Sequence, residues 1–143
     1  MAESTFHLEI VTPDGIIFSE EVSEVKIPTD QGQITILPHH ISLFARLTEG
    51  ELHAVKGGKE TVIAVLGGVV QVEKTFTNVI SDYAIHADSI QIARAEDAKK
   101  RAEEIMKNQQ NTAEFTQADR DLKKSILELK VAQKIKHRQS SKI

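Results

Sequence analysis

Phe6-His7-Leu8-Glu9-Ile10-Val11-Thr12-Pro13-Asp14-Gly15 carries the pattern on which the fold turns. Phe6, Leu8 and Ile10 alternate with His7 and Glu9, so apolar side chains leave one face of a strand and polar ones the other. Thr12-Pro13-Asp14-Gly15 then reverses the chain, because Pro presets φ and Gly accepts positive φ. The same grammar returns downstream. Val25 and Ile27 alternate with Glu24 and Lys26, Asp30-Gln31-Gly32 turns, and Ile34 and Ile36 alternate until Pro38 stops the run. Residues 41–47, 51–55, 61–66, 69–73 and 76–81 continue the series, with Gly50, Gly57-Gly58 and Gly67-Gly68 at the breaks. About nine short strands in about 80 residues predict a sandwich or barrel.

Beyond Ala87 the period changes to that of a helix. Ile92, Ala95, Ala98, Ala102, Ile105 and Met106 fall on one face, and Glu96/Lys100, Asp97/Arg101 and Glu103/Lys107 are acidic-to-basic pairs one turn apart. Asp88 or Ser89 is the expected cap, and the polar run Asn108 to Thr112 the expected end. Thr116 with Asp119 resembles a capping box for a second helix, whose stripe is Phe115, Ala118, Leu122, Ile126 and Leu129. A short polar link predicts an antiparallel hairpin over 88–143, with a fraying tail from Gln139 to Ile143. An alanine stripe buries little area, so the hairpin is weakly held. Leu127, Val131 and Ile135 form a second stripe that wants another surface, either the β domain or a partner.

Composition narrows the function. The 143 residues make about one domain plus an appendage. The chain has 18 Lys and Arg against 21 Asp and Glu, too balanced to point to nucleic acid or an anionic membrane. The balance is uneven, however: residues 1–87 hold 5 basic and 12 acidic side chains, and residues 88–143 hold 13 and 9, which suggests two parts with different partners. Without Cys there is no disulfide, thiolate nucleophile or Cys-based metal site, which suits a reducing cytosol. The absence of a signal-like start or a long apolar run predicts a soluble, unexported chain.

No motif requires catalysis. Neighbouring His39 and His40 point to opposite faces of an extended segment and have no third ligand at metal spacing. Gly67-Gly68 lacks the spacing of a phosphate loop and reads as a turn or a close packing point. Ser, His and Asp do not form a nucleophile elbow. The basic side chains of the second helix, among them Arg120, Lys123, Lys124, Lys130 and Lys134, are either a solvated face or a docking surface for an acidic protein.

The order of parts, a small β domain and then a charged hairpin, resembles the epsilon subunit of bacterial F-type ATP synthase. The likeness is carried by Phe6 to Pro13, by Gly32-Gln33-Ile34-Thr35-Ile36-Leu37-Pro38-His39-His40, by Leu66 to Val72 and by Ala93-Arg94-Ala95. It implies an α+β chain: an N-terminal antiparallel β-sandwich of about ten strands over residues 1–87, binding the rotor, and a regulatory two-helix hairpin over 88–143. The implied role is a rotor component of the central stalk with no catalytic residue, metal or cofactor, peripheral on the cytoplasmic face of the cell membrane and held there only through the complex. Its implied partners are the gamma subunit, the membrane ring of c subunits and the alpha/beta head. Asp30, Gln31, Gly32, Gln33 and His40 are then the ring and gamma contacts, and Lys123, Lys124, Lys130 and Lys134 the contacts through which the hairpin blocks ATP hydrolysis. Some relatives hold ATP in the hairpin. The corresponding residues here are Ile90, Arg94 and Ala95, but Gln91 replaces a carboxylate, and Lys124 and Glu128 replace two Arg, so binding is expected to be weak or absent. Pro38-His39-His40 stands where the family commonly has Pro-Gly-His, and Gln31 and Gln33 replace acidic residues beside Gly32. Two other readings of the same residues are a free-standing β-sandwich binding module with an oligomerising hairpin and a small enzyme using His40 with an acidic partner.

Overall fold

Alternation becomes layers in the computed structural model, which describes residues 4–108 and 112–141. In β1 (Phe6–Thr12) every second side chain is buried, from Phe6 through Leu8 and Ile10 to Thr12, and β3 (Glu24–Thr29) does the same with Val25, Ile27 and Thr29. Eight further strands complete the domain: β2 (Gly15–Val22), β4 (Gly32–Ile36), β5 (Leu43–Leu47), β6 (Gly50–Lys56), β7 (Lys59–Val65), β8 (Gly68–Val72), β9 (Phe76–Ile80) and β10 (Ala84–His86). The last is three residues long, too short to show a period in sequence.

The hydrogen-bonded order is β10-β7-β6-β3-β5-β8-β9-β1-β2, with β4 on the other edge of β3. It divides naturally at β3/β5, where Thr29 and Leu47 are the sole ladder partners, flanked by Asp30 N–H to Arg46 O and Thr48 N–H to Pro28 O, both 3.1 Å. On one side lie β4, β3, β6, β7 and β10, and on the other β5, β8, β9, β1 and β2. Their inner side chains form one cluster that includes Leu8, Ile10, Val25, Ile27, Leu52, Ile63, Val70 and Val79. All ladders are antiparallel except β1 with β9, which run parallel from His7↔Phe76 to Val11↔Ile80. Gly68 shows why the pair of glycines stands at the head of β8: a Cβ there would lie 2.0 Å from the Ile80 carbonyl oxygen, so the backbones touch directly.

The chain forms two compact units, residues 1–88 and 89–143. In the second, α1 (Ile92–Asn108) packs against α2 (Thr112–Ser141). Several expectations change here. Residues Ala87–Ser89 form a short 3-10 turn, and α1 starts after Gln91, whose carbonyl accepts the Ala95 N–H at 3.0 Å, so neither Asp88 nor Ser89 caps the helix. Helix α2 begins at Thr112, four residues before the expected box, and Thr116 Oγ1 donates to the Thr112 carbonyl at 2.8 Å as an interior hydroxyl instead of a cap. It continues through Ser141, so residues 139–141 extend it; Lys142 and Ile143 lie outside the described residues, as do 109–111 of the expected polar link. Ala95 and Ala102 of the expected alanine stripe are buried on α1. On α2 the order of the stripes reverses: Phe115 is 42% exposed, while Leu127 and Val131 of the second stripe are buried beside Ala118 and Ser125.

Candidate functional site: a turn-rich end and an apolar sheet face

The turn around Gly32 is built from below. Thr29 closes β3 opposite Gly32 of β4, and its buried hydroxyl donates to the Gly32 carbonyl and accepts the Gln31 N–H at 3.2 Å. Gly32 has φ +107°, a backbone state that β-branched residues avoid, although space around its α-carbon is open. Asp30, Gln31, Gly32 and Gln33 are all exposed at the tip. These four of the expected contact residues therefore form one outward turn, tied from beneath by the Thr29 hydroxyl.

His40 does not join them. Strand β4 runs from Gly32 at the turn to Ile36, and the segment carrying His40 follows at the other end of the strand, where His39 N–H reaches the Lys74 carbonyl at 3.2 Å. The His40 ring holds Nδ1 2.7 Å from the Ile41 carbonyl. His39 sits at φ +66°, in the left-handed region, so the His39-His40 pair lies at a turn and not in the extended segment expected from the sequence.

A second feature is announced by no motif. Val69, Ile80, Val11 and Ile16 are successive ladder partners across β8, β9, β1 and β2 on the outer face of their sheet. Ile80 and Ile16 are 57% and 63% exposed, and Phe44, one row away beside Gln71, is 71% exposed. The sequence does carry a trace of it: these outward positions break the polar half of the alternation. Exposed apolar groups in a shared patch mark contact surfaces more often than scattered ones do.

In the hairpin unit, Lys123, Lys130 and Lys134 are exposed and lie two and three turns apart along one side of α2, at about 100° per residue. Lys123 pairs with Asp119 at 3.2 Å. Lys124 stands about a quarter turn away and is partly buried. The structure thus groups three of the four basic residues. Of the residues expected at a nucleotide, Arg94 is exposed in the first turn of α1, Ala95 is buried, and Ile90 precedes the helix. A groove of about 460 Å³ opens between α1 and α2, but its wall is Glu104, Ile105, Asn108, Glu114, Gln117, Ala118 and Asp121. It includes none of the nucleotide residues, and its carboxylates would repel phosphate.

Comparison with known proteins accounts for both units. Residues 5–87 match the family model described as the beta-sandwich domain of the ATP synthase delta/epsilon chain, and residues 88–133 match its long alpha-helix domain. The ATP synthase epsilon chain of Herpetosiphon aurantiacus is 38% identical over 132 residues, covering 92% of this chain and 97% of that one. That of Chloroflexus aggregans is 40% identical over 136 residues, covering 94% and 98%. Among solved structures, a chain of the Euglena gracilis mitochondrial ATP synthase OSCP/F1/c-ring assembly aligns with a TM-score of 0.65 at 22% identity, covering 87% of this chain and 78% of its own. A chain of the Tetrahymena thermophila mitochondrial ATP synthase central stalk and c-ring aligns at 0.55 and 13%, covering 92% and 99%. The fold is shared with those chains, and with both units matched and epsilon chains aligned over nearly their whole length, this chain belongs to the ATP synthase delta/epsilon family.

Proposed function

We propose that this chain is a non-catalytic rotor subunit of the central stalk, joining the gamma subunit to the membrane ring of c subunits and thereby coupling proton transport to ATP synthesis. The observation that carries the reading is the match of both units to one family, aligned with relatives named as epsilon chains. Two surfaces of the sandwich suit two partners. The apolar row with Ile16 and Ile80 suits a permanent partner such as gamma, because such interfaces resemble a core cut open. The polar Asp30–Gln33 turn suits the rim of the ring, where hydrogen bonds position the subunit. Residues 89–143, a compact unit of their own whose first helix buries the small side chains Ala95 and Ala102, serve as the movable part that inhibits ATP hydrolysis at the alpha/beta head. Among the described residues no helix is long and apolar enough to cross a membrane, and the chain acts from the cytoplasmic face, held through the complex.

The test is add-back to membranes stripped of this subunit. The full chain restores proton-driven ATP synthesis, whereas a chain with Gly32→Val restores markedly less, because valine cannot adopt φ +107° without strain. Equal coupling by a correctly folded Gly32→Val chain removes the turn from the contact, and failure of the full chain to restore coupling overturns the function.

A further inference from the structure

We propose that Thr12–Gly15 is a second contact turn for the membrane ring, equivalent to Thr29–Gly32, so that one sandwich presents two copies of the same tip to two neighbouring members of a ring of identical subunits. The inference rests on the assignment of the Gly32 turn to the ring.

The two turns share the frame that holds a tip, with the carboxylate standing third in Thr12-Pro13-Asp14-Gly15 and second in Thr29-Asp30-Gln31-Gly32. Each reads Thr-x-x-Gly, with Thr and Gly as ladder partners: Thr12↔Gly15 in β1/β2 and Thr29↔Gly32 in β3/β4. Both threonines are buried, and both hydroxyls accept the N–H two residues on at 3.2 Å and donate to the carbonyl of the closing glycine. The glycines share positive φ, +126° at Gly15 and +107° at Gly32. Each tip exposes one carboxylate, Asp14 or Asp30. A tip held from beneath by a buried hydroxyl is ordered before it meets its partner, which removes an entropic cost of binding.

Topology places both tips at the same end of the sandwich. Thr29 adjoins Leu47 of β5, Leu47 pairs with Gly68 of β8, Val69 pairs with Ile80 of β9, and Ile80 pairs with Val11 of β1. Every strand in that path reaches the same edge there, and four spacings of about 4.8 Å separate Thr12 at the base of one turn from Thr29 at the base of the other, about 19 Å measured along the sheet. A ring subunit must span the bilayer as helices or as part of a closed barrel, and packed helices lie about 8–10 Å apart. Two tips on the same frame, with bases about two helix widths apart, match a partner whose surface repeats. A partner with a single copy of its loop would have use for only one of them.

Crosslinking in the assembled complex tests this, since the chain has no cysteine and an introduced thiol is unique within it. Asp14→Cys, Asp30→Cys and the double variant are each labelled with a thiol-reactive photo-crosslinker, assembled, illuminated and analysed by mass. Both single variants are expected to give adducts with a ring subunit in comparable yield, and the double variant an adduct of one chain with two ring subunits. A ring adduct from Asp30→Cys together with none, or only a gamma adduct, from Asp14→Cys overturns the second contact while leaving the Gly32 turn in place. A double variant that never captures two ring subunits overturns the two-copy arrangement. Absence of ring adducts from both single variants overturns the ring assignment of the turn itself.

Discussion

His39 is held where its side chain costs energy. A left-handed conformation strains an L-residue by about 1–2 kcal/mol, part of which glycine would return as unfolded-state entropy. His39→Gly is therefore expected to raise stability by up to about 1 kcal/mol, seen as a rise of a few degrees in a thermal melt of the chain; an unchanged or lower midpoint would show that the His39 ring makes a compensating interaction. Gly68 is the opposite case. A Cβ added there would fall 2.0 and 2.7 Å from backbone atoms of Ile80 and Ser81, which cannot swing aside, so Gly68→Ala should cost about 3 kcal/mol or more and shift the denaturant midpoint sharply down. Thr77 is fully buried in β9 and its Oγ1 has no hydrogen-bond partner among the described residues. Thr77→Val keeps the shape and removes the orphaned hydroxyl, for an expected gain of about 1 kcal/mol in the same denaturant titration.

Elements differ in how openly the sequence displays them. Strands β1 and β3 are legible because each lies between a core and an outer face, and the period of two records that boundary residue by residue. Both helices are legible as helices, but not in their stripes: a 30-residue helix such as α2 carries more than one apolar row, and period alone cannot rank Leu127 and Val131 above Phe115. The Asp30–Gln33 turn can be found from Gly32, whereas its kinship with Thr12–Gly15 needs the strand order that brings β1 beside β9. The apolar row from Val69 to Ile16 spans four strands, so each strand shows only one apolar residue out of turn and the row itself needs the register to be seen. At this scale the hairpin supports a further expectation. Lys124 and Glu128 lie one turn apart on α2 at the positions where the resemblance implies arginines in ATP-holding relatives, and a carboxylate there opposes phosphate. Calorimetric titration of the chain with ATP should show no binding in the micromolar range; a micromolar constant would make the hairpin a nucleotide sensor.

The whole molecule behaves as two units with separable fates. Its largest fully buried side chains, from Leu8 to Val79, all precede the helices, so a chain ending at Ala87 retains them. It is expected to fold, to support coupling after add-back, and to leave ATP hydrolysis by the complex equal to or faster than with the full chain; slower hydrolysis would contradict an inhibitory hairpin. Only the first of these units has to wait for its own far end. Strand β1 can pair with β2 as soon as both exist, but its other edge is closed by β9, which begins at Phe76, about 70 residues further along. At a synthesis rate of about 5–20 residues per second, that edge stands open for several seconds in every chain the ribosome makes. A row of unpaired N–H and C=O groups accepts any strand offered to it. The parallel β1/β9 ladder, which completes the sandwich, therefore also sets the interval during which one nascent chain is exposed to strand addition by another.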